Sequence, residues 1–177
     1  MIPNSLLTEG FEAPSFEDFC RSEYASIRNA LSWSLGSHDL AADATDEGFA
    51  RALERWDRVG SMDNPSGWVY RVGQNWAQRR RWRTKRESDL HRQTRPQLIH
   101  SDYYHDPDLA TALVSLPVKQ RSVVVLRHLL GYSERETAEI LGISTGTVKS
   151  RLSRSMDQLR YLLADAGDTA EKEARDD

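Results

Sequence analysis

A single cysteine, Cys20, stands in 177 residues. It excludes an internal disulfide and any zinc site built on paired cysteines, and beside Phe16 and Phe19 it reads as a small core residue. No run of about 18 apolar residues occurs, so no segment reads as a membrane span. The opening MIPNSLLTEGFEAPSFED lacks the basic and apolar segments of a signal peptide. Together these absences point to the cytoplasm and away from a membrane. Catalytic signatures are missing too: there is no GxxxxGKS/T and no HExxH. The acids between residues 40 and 57 have no matching His or Lys cluster. His91, His100 and His105 fall in a polar stretch with spacing that fits no metal motif. No catalytic residue, metal ligand or cofactor is therefore expected, and nothing points to an enzyme. Residues 1 to 110 show no alternating strand and helix pattern, and no internal repeat appears.

What is present is charge in blocks. The net charge is −3, yet from Trp68 to Arg95 there are nine Arg or Lys against Glu87 and Asp89. From Ala164 to Asp177 there are six acids against Lys172 and Arg175. A basic stripe inside an acidic chain suggests local nucleic-acid contact plus a protein partner.

The stretch SERETAEILGISTGTVKSRLSRSMDQLR, residues 133–160, has the form of a helix-turn-helix. Ser133 and Glu136 make a capping box, Gly142 can take the left-handed conformation that ends a helix, and Ser144 can cap a second helix from about Thr145. In that second helix Val148, Leu152, Met156, Leu159 and Leu163 form one apolar stripe. At about 100° per residue, Gly146, Thr147, Ser150, Ser153 and Arg154 fall opposite it, flanked by Lys149 and Arg151. Small side chains, hydroxyls and cations suit a helix whose outer face enters a major groove.

The rest also reads as helix. Ser15 and Asp18 begin a first helix whose buried side is Phe16, Phe19, Tyr24, Ile27, Leu31 and Leu35, with Gly36 ending it. A second runs from about Asp39 to Asp57 with Ala42, Phe49, Leu53 and Trp56 inward and Gly48 in its middle, at about 1 kcal/mol against Ala. Asn64 caps and Pro65 opens a third helix reaching about Arg83. Its QRRRWR end has no apolar face wide enough to bury, and tryptophans 68, 76 and 82 among arginines and amides suit stacking of unpaired bases. Helices from about Asp108 and from Pro117 to Leu130 precede the helix-turn-helix. The expected fold is all-α: two small helical domains joined by a flexible linker. The boundaries are an extension at 1–11, a first domain at 12–83, a linker at 84–107, a second domain at 108–163 and a frayed acidic tail at 164–177.

Three stretches carry a family resemblance. Residues 116–160 are similar throughout to region 4 of a bacterial RNA polymerase sigma factor, DNPSGWVYRVGQNWAQRRRWR resembles the promoter-melting part of region 2, and LAADATDEGFARALERWD resembles the helix that docks on the polymerase clamp. The size resembles the extracytoplasmic-function (ECF) class of the sigma-70 family. In the docking helix the family usually has a Gln-Glu pair and a bulky apolar residue, where this chain has Asp46, Glu47 and Gly48.

The resemblance implies a factor that binds core polymerase through its clamp and flap and directs promoter-specific initiation. Asp43, Asp46, Glu47 and Arg51 would face the clamp. A flipped base would sit near Asn64 and Asn75, on the helix that includes Trp68, while Arg71, Arg79 and Arg80 hold the strand of the melted −10 element. Thr147, Lys149, Ser150, Ser153 and Arg154 would read the duplex −35 element. Family members are often held by an anti-sigma factor. The 24 residues of the linker extend to about 80 Å at about 3.3 Å each, enough for sites about two turns of duplex apart. The alternative is a helix-turn-helix activator or repressor acting as a dimer without polymerase, which would need an N-terminal receiver that the pattern lacks.

Overall fold

In a computed structural model of the chain, residues 15–88 and 107–176 are described, and among them there is helix and no strand. The helices are α1 (Phe16–Leu35), α2 (His38–Leu53), α3 (Trp56–Val59), α4 (Pro65–Ser88), α5 (Pro107–Ser115), α6 (Val118–Val124), α7 (Glu134–Leu141) and α8 (Thr145–Asp176). The expectations for residues 1–14, 89–106 and 177, the three linker histidines among them, lie outside the described residues.

Local chemistry sets most of the ends. Ser15 accepts from the Asp18 amide, and Gly36 closes α1 at φ 67°. The Ser133 side chain and Glu136 satisfy each other's backbone as a full capping box, and Gly142 ends α7 at φ 64°. Asn64 Oδ1 accepts from the Gly67 amide at 2.7 Å, capping α4. Three elements depart from expectation. The second helix stops at Leu53; Arg55 at φ −132°, ψ 27° breaks it, and α3 follows as a separate turn. α4 runs five residues past Arg83 to Ser88. The α8 backbone continues as helix to Asp176 where fraying was expected.

α6 continues into a π-helical turn, Val125–Leu129, where the Leu130 amide bonds the Val125 carbonyl at 3.1 Å. Its extra residue per turn widens the helix just before Gly131 ends it at φ 70°.

α2 crosses α4 through two glycines. A Cβ on Gly73 would lie 2.5 Å from the Ala44 carbonyl oxygen, and one on Gly48 2.9 Å from that of Val69. The helices touch backbone to backbone, and Gly48 offsets its low helix propensity with this approach.

The two halves share a core. Phe19, Ile27, Leu31, Phe49, Val69 and Tyr70 pack in one cluster with Val125, Leu126 and Ile140 of the second half. The end of α1, Ala30 to Leu35, is therefore buried on every side, with Ser32, Trp33 and Ser34 included. Polar groups bridge the halves. Within the first half the Ser34 and Tyr70 hydroxyls meet at 2.6 Å, and across to the second half Gln74 Nε2 donates to the Ser122 hydroxyl. Arg121, 4% exposed, donates to the carbonyls of Ser34 at 3.0 Å and Val114 at 2.9 Å, at the C-terminal ends of two helices where a cation is favoured. Desolvation, helped by nearby Arg81, pulls its pKa down to about 10, so it keeps its charge at neutral pH. The helix-turn-helix has its own cluster of Val123, Ala138 and Val148.

Candidate nucleic-acid interface

The outer face of α8 is built from its cap. Ser144 Oγ accepts from the Thr147 amide at 3.2 Å. Val148 is fully buried and Leu159 nearly so, which turns the opposite face outward. Lys149, Ser150, Ser153 and Arg154 are exposed there, and Thr147 is half-buried. The five residues expected at the upstream element therefore share one accessible face. Lys149 Nζ lies 3.5 Å from Glu134 Oε2 on α7, with both groups open to solvent, which makes the pair a weak tether.

A second cationic face runs along α4. Asn75, Arg79, Trp82 and Arg83 line one recess with Gln78, of about 390 Å³, and Trp76 and Arg80 share another with Arg51, of about 380 Å³. Trp82 is 75% exposed, as its arginine neighbours predict. Trp76 lies partly against the core, and the Arg80 guanidinium stands 5.1 Å from its ring centre. Rings beside guanidinium groups offer a strand both stacking and phosphate neutralisation.

The start of the same helix is different. Trp68 is half-buried against the shared core. Asn64 accepts from Tyr132 Oη at 3.4 Å as well as from the Gly67 amide, and Arg71 donates to the Glu139 carbonyl at 3.3 Å. The six residues expected at the downstream element thus split into a group clear of α7, Asn75 with Arg79 and the Asp43-paired Arg80, and a group next to α7, Asn64 with Trp68 and Arg71.

The four residues expected to face a protein partner are all engaged within the chain. Asp43 pairs with Arg80 at 2.7 Å, Glu47 with Arg51 at 2.5 Å, and Tyr24 Oη donates to Asp46 at 2.5 Å. That bond raises the Tyr24 pKa above its usual value, ahead of burial. The Asp43–Arg80 pair ties the acidic face of α2 to the basic face of α4. Leu53 was expected inward. It is 56% exposed, because α2 breaks after it and α3 turns Trp56 inward instead. It lies seven residues after Asp46 on the acidic face, an apolar side chain open to solvent.

Sequence reasoning missed Tyr132 and Arg121. Arg121 had a signal: it precedes Val125 by one turn on the buried side of its helix. Tyr132 had none, since its partner lies 68 residues earlier. Among the described residues no group of acids, histidines or cysteines could hold a metal, and no helix is long and apolar enough to cross a membrane.

Residues 108–159 match the family described as Sigma-70, region 4. The chain is 34% identical over 172 residues to the ECF RNA polymerase sigma factor SigE of Mycolicibacterium smegmatis, covering 89% of this chain but only 65% of that protein's length. It is 30% identical to the RNA polymerase sigma-E factor of Streptomyces coelicolor, with 84% of this chain and 86% of the relative covered. The sigma factor RpoE of Bartonella quintana, solved in complex with the anti-sigma factor NepR, superposes with a TM-score of 0.73 at 26% identity, covering 84% of this chain and 96% of that one.

Proposed function

The chain belongs to the ECF class of RNA polymerase sigma factors, and from that premise we propose how its surfaces divide the work of promoter-specific initiation. It binds core polymerase and brings it to a promoter; the family acts as initiation factors rather than enzymes. One observation carries the assignment of surfaces: α8 buries one stripe and presents Thr147, Lys149, Ser150, Ser153 and Arg154 as a contiguous outer face. Residues 108–163 form the region 4 domain that reads the −35 duplex with this face. Residues 12–83 form the region 2 domain. Its α4 holds the melted −10 strand through Asn64, Trp68, Arg71, Asn75, Arg79 and Arg80, with unpairing offset by stacking and pocket hydrogen bonds. The face of α2 with Asp43, Asp46, Glu47 and Arg51 docks on the clamp, and exposed Leu53 supplies the apolar contact there that Gly48 does not. The flap is the further contact with polymerase. An anti-sigma factor is a further partner, as for the Bartonella relative.

Run-off transcription with purified core polymerase tests this. Promoter-dependent transcripts that require the added chain are expected. Sequence-specific, nanomolar duplex binding by the chain alone, without transcripts, would overturn it in favour of a dimeric activator.

A further inference from the structure

The recess between α2 and α4 carries more positive charge than the acids beside it match. Trp76, Arg79, Arg80 and Arg83 lie three or four residues apart along one face of α4, and Arg51 closes the recess from α2. Two of its four guanidinium groups are held. Glu47 pairs with Arg51 at 2.5 Å, and Asp43 with Arg80 at 2.7 Å, while Arg80 also stands over the Trp76 ring. Arg79 and Arg83 are exposed and pair with no carboxylate among the described residues. They are four residues apart, where like charges repel along a helix. The recess measures about 380 Å³, within the range of small-molecule sites, about 300–1,000 Å³. Its two walls are set by the crossing of α2 on α4, where a Cβ on Gly73 would lie 2.5 Å from the Ala44 carbonyl oxygen. The cations are thus spaced before anything binds, which lowers the cost of binding.

We propose that this recess is a binding site for an oligophosphate anion, two or more linked phosphoryl groups, carried by a free nucleotide or present as the inorganic ion. A guanidinium fork matches the oxygens of one phosphate two by two. A single phosphate satisfies one of the two unmatched forks, and two adjacent phosphates satisfy both. Binding also removes the repulsion between Arg79 and Arg83. A nucleotide adds a base that can stack where the Trp76 ring and the Arg80 guanidinium already lie together. Arg79 and Arg80 are also the cations given above to the melted strand, so a bound oligophosphate excludes that strand. The exclusion rests on that reading of α4; the site itself does not.

Calorimetric titration of the full chain at about 0.15 M salt tests the site. The probes are ATP and inorganic triphosphate, with AMP as the single-phosphate control. One saturable site for a triphosphate is expected, and AMP should bind at least about tenfold more weakly. ATP binding about fivefold or more tighter than inorganic triphosphate assigns the site to a nucleotide through base stacking; inorganic triphosphate binding as tightly or tighter assigns it to free oligophosphate. Arg79→Gln and Arg83→Gln should each weaken triphosphate binding by about tenfold or more. Arg135→Gln removes one exposed charge from α7, outside the recess, and should weaken it by less than about twofold. Absence of saturable binding, AMP as tight as ATP, or equal losses in all three variants would each overturn the site. For the exclusion, inorganic triphosphate at fixed free magnesium should inhibit run-off by the wild-type chain at about tenfold lower concentration than by the Arg83→Gln chain. Equal inhibition would overturn the exclusion. Transcripts that require the chain report the sigma-factor assignment whatever the titration gives, so the two failures are distinct.

Discussion

Leu53 shows how a single side chain can mislead. By period it belonged with Phe49 and Trp56 on the inner face, but the break at Arg55 ends the helix before that face is complete. Leu53→Ala should therefore change urea stability by no more than about 0.5 kcal/mol, as for an exposed position, while weakening holoenzyme assembly measured by native gel or anisotropy. Tyr70 is the reverse case, a polar-tipped aromatic between Trp68 and Arg71 on α4 that is wholly buried. Its burial raises the phenol pKa to about 12. The stabilisation held in the neutral phenol is complete below the ordinary value of 10 and is lost as pH rises through about 12, by roughly 2–3 kcal/mol. Tyr70→Phe leaves the Ser34 hydroxyl without this partner and should lower urea stability by about 1–3 kcal/mol at pH 7. That deficit should shrink as both proteins are taken above pH 10. On the outer face of α8, Arg154→Ala and Lys149→Ala should each weaken upstream recognition. The cost is about 1–3 kcal/mol with relaxed preference at one base pair if the contact is to a base edge, or a salt slope lower by about one if it is to phosphate. Footprinting across a promoter series distinguishes these.

Among the elements, ends marked by local chemistry were legible: Ser15, Gly36, Asn64, Ser133, Gly142 and Ser144 act within three or four residues of themselves, so a linear sequence states them in full. The stripe of α8 was legible for the same reason. What a linear sequence does not state is a distant neighbour. The α2–α4 crossing is the clearest instance: Gly48 reads as a helix penalty until the Val69 carbonyl is placed above it. Helix propensity alone makes Gly73→Ala stabilising by about 1 kcal/mol. The 2.5 Å approach to the Ala44 carbonyl reverses the sign, and a loss of about 1–3 kcal/mol is expected in urea melts, as for overpacking. The candidate site was legible to the same extent. The α8 face follows from period alone, whereas the division of the α4 residues into a group clear of α7 and a group next to it depends on an element that lies far along the chain.

For the whole molecule, two helical halves were expected, and their described residues also pack together in one core cluster. The sequence carried a trace of this in NALSWSLGS, residues 29–37, which holds no charge on either face of its helix. A helix end without a polar face is buried all round, but the covering segment is 80 to 90 residues away and nothing local names it. The docked form, with net charge −3, should bind promoter duplex weakly alone and specifically only with polymerase; gel shifts of the chain with and without core enzyme would show it.

That burial of α1 also has a consequence in time. Trp33 and Leu35 belong to a cluster completed by Val125 and Leu126, with Leu113 packed against it, and those residues leave the ribosome far later. At about 5–20 residues per second, roughly 5–20 s pass between synthesis of the end of α1 and completion of its cover. Through that interval the nascent first half presents an apolar ridge with no partner, so this part of the chain meets chaperones before it meets the rest of its own fold.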